Sequence, residues 1–443
     1  MSIFKAYDIR GIYPSEIDEH VAFRIGAAFG TLNPGRIAVG CDTRLSSPQL
    51  KDSFINGVCS TGSDVLNIGV VTTPAVVFAV RHYNCDGGVN VTASHNPKEY
   101  NGFKLFDNEA MPISYESGIG ALRAQFEREN YRKGNGTSTT RAIQEDYSNF
   151  IMANTKLGTW LSIVIDASNG AAGLYAPEIY RQLGMTVYEL NCMPDGNFPG
   201  HAPDPTKAEN LLEVQTKVKE VGADLGIVYD GDGDRLAVID ADGNIIESRR
   251  IFSLLAQQVL DEKPGAKIVH DALMSDMAIE TIKRYGGQAV PCRVGHTYIA
   301  QKMKEEAAEL GGELSGHYYF KEAFFADDAI LASLKVAALI SQGGKRLSEL
   351  VSDFPEYLSE NIRIPVKESK KFSFIKQLKA DLESDGYVLD CLDGVKVVFD
   401  TGWALFRASN TEPRISIAYE SRNETEFYRI KDFVQSIIEK VPQ

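Results

Sequence analysis

Asp230-Gly231-Asp232-Gly233-Asp234-Arg235 alternates three carboxylates with two glycines. A tight loop of that composition can turn all three side chains toward one centre. Like charges held so close repel strongly unless a cation neutralises them. An all-oxygen donor set suits Mg²⁺ or another hard divalent ion. An EF-hand is excluded, because Arg235 stands where that loop needs glycine and Ala241 where it needs its bidentate glutamate. Arg235 also sets a fixed positive charge beside the carboxylates, which is useful only where an anion binds too.

Three further loops carry reactive or ligand-reading side chains. Val89-Asn90-Val91-Thr92-Ala93-Ser94-His95-Asn96-Pro97 places Ser94 after an apolar strand, with Lys104 shortly beyond the Asn101-Gly102 turn. Ser94 and His95 do not read as a hydrolase dyad, since adjacent side chains seldom face each other, and the G-x-S-x-G elbow is missing. Gly312-Glu313-Leu314-Ser315-Gly316-His317 offers groups suited to sugar hydroxyls and proton transfer, and His296 is a second histidine in the same region. Arg407-Ala408-Ser409-Asn410-Thr411-Glu412-Pro413 is an inventory for gripping phosphate oxygens. Each of these three loops taken alone could be an ordinary polar turn. Together, a serine, a hard-metal site, a sugar reader and a phosphate clamp share one denominator, phosphoryl transfer on a sugar, where catalysis is mostly positioning and charge neutralisation.

The elements that must position these loops repeat. Ile37–Gly40, Ile163–Ile165 and Ile268–Val269 are apolar strands, each followed by a polar turn, a helix, a glycine turn and a second strand. The spacing predicts helices over about 47–60, on to 183, and 275–285. Alternating strands and helices mean βαβ units, and strands without polar alternation mean sheets covered on both faces. The fold expected is three tandem α/β domains with mixed, largely parallel sheets over 1–141, 142–243 and 244–355, around a central cleft. Asn130 to Thr140 reads as a polar, glycine-rich loop at the first boundary. Residues 356–443 change rhythm: three strands near 395–399, 403–406 and 415–419, then an amphipathic helix over about 424–440, predict an α+β domain with an antiparallel sheet.

Composition narrows the function classes. Among 443 residues, 46 Lys and Arg against 60 Asp and Glu give a net charge of −14, so the broad basic field that nucleic acid or an anionic membrane needs is missing. The run Ala329–Ile340 is too short for a membrane span and carries Lys335. The opening residues show no basic segment followed by an apolar run, and the 6 scattered cysteines form no C-x-x-C pair. These features predict a cytoplasmic protein with reduced thiols, acting as a monomer or homodimer on a small phosphosugar.

In their order along the chain, Thr92–Pro97, Asp230–Arg235, Gly312–His317 and Arg407–Pro413 resemble the four signatures of the α-D-phosphohexomutase family, and Phe4-Lys5-Ala6-Tyr7-Asp8-Ile9-Arg10-Gly11 resembles its usual opening. The resemblance covers essentially the whole chain. It implies that Ser94 is carried as phosphoserine, and that Ser94, Asp230, Asp232 and Asp234 hold one Mg²⁺. It implies Lys104 and His317 as general acid and base, with Arg10 and Arg235 stabilising the transferring phosphoryl group. Tyr7, His296, Glu313, Ser315, Arg407, Ser409, Asn410 and Thr411 would bind substrate. The activity implied interconverts hexose 1- and 6-phosphates through a 1,6-bisphosphate, which also acts as activator. Asn410 favours phosphomannomutase/phosphoglucomutase members over phosphoglucosamine mutases, the alternative, which typically have glycine there. Two rivals from other classes are a serine-dependent metallophosphatase and a non-catalytic sugar-phosphate sensor. With only 7 histidines, none clustered, the two-metal phosphatase is disfavoured, and every nucleophile and ligand a sensor would lose is present.

Overall fold

The computed structural model describes residues 3–409 and 413–442. Its first sheet runs in the order Ile9–Ile12, Tyr100–Phe106, Gly87–Val91, Arg36–Cys41, Asp64–Val70, Ser138–Thr140. The last four strands are parallel, and the first two are antiparallel additions. The second sheet, Ile245–Ile246, Leu236–Asp240, Leu225–Tyr229, Ser162–Asp166, Thr186–Leu190, has the same plan of parallel strands with two antiparallel ones on one flank. So does the third, Gln288–Cys292, Lys267–Asp271, Leu310–Gly312, Tyr318–Phe320, Ala326–Asp327. Strands Gly87–Val91, Ser162–Asp166 and Leu225–Tyr229 are buried at every position, as expected where helices cover both faces. The fourth sheet, Leu358–Pro365, Arg414–Ser421, Gly402–Ala408, Val395–Val398, Leu389–Asp390, is antiparallel throughout.

Local signals account for the helices. Pro48 sits in the first turn of helix Ser47–Ser60, and Ser275 accepts a hydrogen bond from Met277 N at the start of helix Asp276–Arg284. Helix Ala329–Gly343 begins where the Asp328 carboxylate accepts from Leu331 N and stops at Gly344, whose φ of +62° is left-handed. That helix is the apolar run around Lys335, and it is interior: Tyr180 and Tyr229 of the second unit both hydrogen-bond its Ser333. No helix among the described residues is long and apolar enough to cross a membrane.

Two details differ from the sequence reading. The stretch 130–140 is not wholly loop: Ser138–Thr140 pairs in parallel with Asp64–Val70. The glycines allow it, because a Cβ on Gly136 would lie 1.9 Å from the Ser63 carbonyl oxygen. The helix expected to run on to 183 is split into a 3₁₀ turn Ala171–Leu174 and an α-helix Ala176–Gln182, with Pro177 opening the second piece.

The cores are unequal. One continuous apolar cluster takes residues from all three α/β units, including Ala38, Ile165, Tyr229, Phe252 and Leu331. The C-terminal unit has its own, built from residues such as Val397, Phe406, Ile417 and Ile430. Only a small cluster of Trp403, Leu405 and Ala418 meets Ala272 and Leu273 across the joint.

Helices Glu19–Leu32 and Ser47–Ser60 touch backbone to backbone: a Cβ on Gly26 would lie 2.1 Å from the Phe54 carbonyl oxygen, and one on Gly57 equally close to that of Phe23. Neither backbone can yield without separating the helices. Gly26→Ala is therefore expected to cost about 1–3 kcal/mol through overpacking. Urea unfolding should show a lower midpoint with an unchanged slope.

Candidate active site

The repeated plan puts a functional loop at one equivalent place in each α/β unit, where the last parallel strand hands over to the first antiparallel one. The serine loop joins Val91 to Tyr100, the acidic loop Tyr229 to Leu236, and the Glu-Ser-His loop Gly312 to Tyr318. These are carboxyl ends of parallel strands, where open α/β sheets bind ligands. The fourth loop is the hairpin between Gly402–Ala408 and Arg414–Ser421. Asn410 and Thr411 lie outside the described residues.

The first two loops meet directly. Ser94 Oγ donates to Asp230 Oδ2 at 2.7 Å, across 136 residues of sequence. Thr73 of the first unit donates to Asp232 Oδ2 at 2.6 Å, and its backbone N–H donates to Asp232 O at 2.8 Å. Glycine is required between the aspartates. A Cβ on Gly231 would stand 2.7 Å from the Ser94 carbonyl oxygen, and Gly233 has a left-handed φ of +74°. Ser94 itself is left-handed at φ +49°. That turn folds the chain back and sets Ser94 Oγ 3.3 Å from His95 Nδ1, so these sequence neighbours do face each other, contrary to the sequence expectation.

Asp230, Asp232 and Asp234 are all buried, and each offers an oxygen within 4.8 Å of the others. Burial, then the charges of Asp234 and Asp232, push the Asp230 carboxyl well above its usual range. Asp232 Oδ1 and Asp234 Oδ1 are buried without a hydrogen-bond partner. Orphaned carboxylate oxygens facing one another are what a hard divalent cation satisfies, so the donor set fits a metal. Lys104 supplies the nearest positive charge: its ammonium bonds Asp232 Oδ2 at 2.8 Å and also Asp234. Burial opposes that charge, but the two aspartates outweigh burial and hold the Lys104 pKa above its usual value.

Arg235 Nε donates to His317 Nε2 at 2.9 Å, while His317 Nδ1 lies 2.7 Å from Asp327 Oδ2. Since Nε2 is accepting, the proton sits on Nδ1 and points at Asp327. Burial favours the neutral ring, yet Asp234 and Asp327 together raise the His317 pKa. His95 and His296 go the other way. Each sits in the cleft beside cations, and burial followed by Arg235 and Arg10 for His95, or Lys104 and His317 for His296, holds it well below the usual histidine value. Arg10 joins this group from the first strand, donating to Asn96 Oδ1 at 2.7 Å and to Asp8 Oδ2 at 2.5 Å.

The remaining sequence candidates line the far side. Glu313 is buried, its two oxygens accepting from Gly295 N at 2.8 Å and Tyr319 OH at 2.7 Å, while Ser315 is half-buried at the loop apex. Tyr7 donates to Val294 O at 2.9 Å and its ring meets the His296 ring edge-on at 5.8 Å. Arg407 Nε donates to Asp393 Oδ2 at 3.1 Å, and the Ser409 carbonyl accepts from Lys371 Nζ at 2.6 Å. Sequence reasoning missed Thr73, Asp327, Lys371 and Asp393, because each sits in a segment with no motif of its own. Asp327, in Ala326-Asp327-Asp328, had a signal only in hindsight, as a carboxylate ten residues beyond His317 on a short paired strand.

Three like α/β units followed by a fourth, dissimilar one are the plan of the phosphoglucomutase/phosphomannomutase family. The chain belongs to it. The four phosphoglucomutase/phosphomannomutase family models match in order: alpha/beta/alpha domain I over 1–133, domain II over 143–243, domain III over 247–357 and the C-terminal domain over 362–437. The phosphomannomutase/phosphoglucomutase of Pseudomonas aeruginosa is 38% identical, covering 99% of this chain and 96% of its own. The phosphoglucomutase of Neisseria gonorrhoeae is also 38% identical, over 99% and 97%. A crystal structure of a family protein from Burkholderia thailandensis superposes with a TM-score of 0.92 at 33% identity, over 99% and 97% of the two chains.

The crowding of carboxylates predicts a metal-linked stability. Thermal unfolding in chelator, then with Mg²⁺ at about 100 times its dissociation constant, should differ by about 2.7 kcal/mol in favour of the metal. Asp230→Asn is expected to abolish most of that gain and to match or exceed the native protein in chelator, since it removes one repelling charge.

Proposed function

We propose that the chain is an isomerase that interconverts hexose 1-phosphates and hexose 6-phosphates, with mannose and glucose both accepted, through phosphoserine at Ser94 and a 1,6-bisphosphate intermediate. The observation that carries this reading is Ser94 Oγ resting 2.7 Å from a buried triad of aspartates, with Lys104 and the Arg235–His317 pair in the same cluster. A serine oxygen beside carboxylates alone is a poor phosphate site. It becomes a good one when cations surround it.

Asp230, Asp232 and Asp234, with the phosphate on Ser94, would hold Mg²⁺, which would supply neutralising charge. The chain's own groups do the rest. In the first half-reaction, the P–O bond to Ser94 Oγ breaks as a bond forms to the free sugar hydroxyl. That hydroxyl proton passes to one group of the cleft as another gives a proton to the departing Ser94 oxygen, which ends the half-reaction as a free hydroxyl. His317 is oriented for proton transfer by Asp327, and Lys104 is held protonated by its two aspartates, so they are the acid–base pair. Arg10 and Arg235 offset charge on the moving phosphoryl group. Glu313 and Ser315 read sugar hydroxyls, with Tyr7 and His296 beside them. Arg407, Ser409, Asn410 and Thr411 grip the phosphate that is not reacting. The second half-reaction runs the same steps in reverse from the other phosphate, so the sugar must be turned end for end in the cleft and the distal clamp must accept either end.

Glucose 1-phosphate or mannose 1-phosphate, incubated with Mg²⁺ and a trace of glucose 1,6-bisphosphate, should yield the 6-phosphate without net release of inorganic phosphate. Intact mass should show one phosphate, absent in Ser94→Ala, and that variant should fold yet lose at least 1,000-fold in turnover. Release of phosphate would mark a phosphatase, and near-normal isomerisation by Ser94→Ala would sink the reading.

A further inference from the structure

Arg44 belongs to none of the four loops, yet its side chain is completely buried beneath one of them. It follows strand Arg36–Cys41, and all five of its guanidinium N–H donors are matched. Nε donates to Asp42 Oδ2 at 3.1 Å. Nη1 donates to the carbonyls of Pro97 and Tyr100, at 2.7 and 3.0 Å. Nη2 donates to the carbonyls of Ser94 and Asn96, at 2.6 Å each. One side chain therefore holds four carbonyl oxygens of the serine loop. Asp42 completes the fixture by accepting from Arg44 N, Ser47 Oγ and Thr92 Oγ1, and Thr92 Oγ1 in turn accepts from Ser94 N at 2.8 Å.

Ser94 is thus gripped on both sides of its Cα, by Thr92 at the N–H and by Arg44 at the C=O. Its left-handed φ of +49° costs on the order of 1 kcal/mol or more for a residue with a Cβ, and persists only where the surroundings over-determine it. The second unit closes over the same spot. Thr43 Oγ1 donates to Asn169 O at 3.1 Å, and the Phe198 ring lies 5.2 Å from the Arg44 guanidinium carbon.

We propose that Arg44 is a positioning residue for phosphoryl transfer: its five-donor fork fixes the backbone of the serine loop so that Ser94 Oγ returns to the same point in both half-reactions. It touches neither substrate nor the moving phosphate. The inference rests on Ser94 being the phosphoryl carrier. A serine that gives and takes a phosphoryl group at both ends of one sugar tolerates little drift, and a misplacement of 1 Å can cost about 100-fold. Lysine preserves the charge but offers three donors from one point, which cannot span four carbonyls and a carboxylate.

The test is Arg44→Lys, assayed with glucose 1-phosphate, Mg²⁺ and glucose 1,6-bisphosphate, with activity expressed per folded molecule from thermal unfolding. The expected result is a kcat lower by about 100-fold with KM within about threefold of native. Charging of Ser94 by glucose 1,6-bisphosphate, followed by intact mass, should slow in parallel. A merely structural role predicts lower stability with kcat per folded molecule unchanged, and a kcat within threefold of native overturns the inference. If Arg44→Lys does not fold, Asp42→Asn decides by the same criterion, because it keeps the shape but removes the carboxylate that aligns the fork. A native protein that neither isomerises the sugar nor carries phosphate on Ser94 would overturn the proposed function instead, whatever the variants do.

Discussion

Three carboxylates buried within reach of one another, beside the serine, are the constraint on which the rest of the site depends. Charges so placed cannot coexist in a dry interior unless positive groups face them. Lys104 comes from the antiparallel strand of the first sheet, and Arg235 from the acidic loop itself. The antiparallel strands flanking each parallel set thus have a purpose beyond completing a sheet. In the first sheet they return the chain past the carboxyl ends of the parallel strands and bring Arg10 and Lys104 to the anions, whereas in the third they bring Asp327 to His317. The chain's acidity reaches into the cleft, where Arg10, Lys104 and Arg235 are gathered against it.

The same constraint explains a division among the histidines. His317 is drawn toward its charged form by Asp234 and Asp327, whereas His95 and His296 are held neutral by burial and neighbouring cations. Only one imidazole in the cleft is therefore poised to gain a proton as charge shifts nearby. The rise comes from Asp234 and from Asp327, which sits on the strand paired with the one that immediately follows His317.

Much of this was legible in the residues. The strand–turn–helix rhythm marked three α/β units, and the Asp-Gly alternation announced convergence because glycine is the only residue that lets a loop bring three carboxylates together. What the sequence could not disclose was pairing between distant segments. Nothing in Asp42-Thr43-Arg44 indicates that its arginine would serve carbonyls fifty residues on, and nothing near Thr73 points to Asp232. The Ser94–His95 contact was misjudged for a related reason: the left-handed turn that creates it is imposed by tertiary contacts on both sides of Ser94, not by a local preference of serine. The polar stretch at 130–140 hid the edge strand Ser138–Thr140 because all three of its residues are exposed, which leaves no alternation to read.

The C-terminal unit has a separate logic. Its core is its own, and the joint to the third unit is flanked by cavities of about 280 and 230 Å³, with Trp403 lining both. Polar contacts cross the joint as well: Asp276 N donates to Glu420 Oε1 at 2.6 Å, and buried Arg249 pairs with Glu420 at 3.5 Å. A further short segment adds to these contacts. Val294 N donates to Asp393 at 2.9 Å while Val294 O accepts from Tyr7 at 2.9 Å, and the next residue, Gly295, donates to Glu313 at 2.8 Å. Asp393 is also the partner of Arg407. Two consecutive peptide groups therefore connect the first unit, the Glu-Ser-His loop and, through Asp393, Arg407. The C-terminal unit thus keeps a core of its own, while hydrogen bonds at the Val294 backbone and at Asp276 tie it to the rest of the chain.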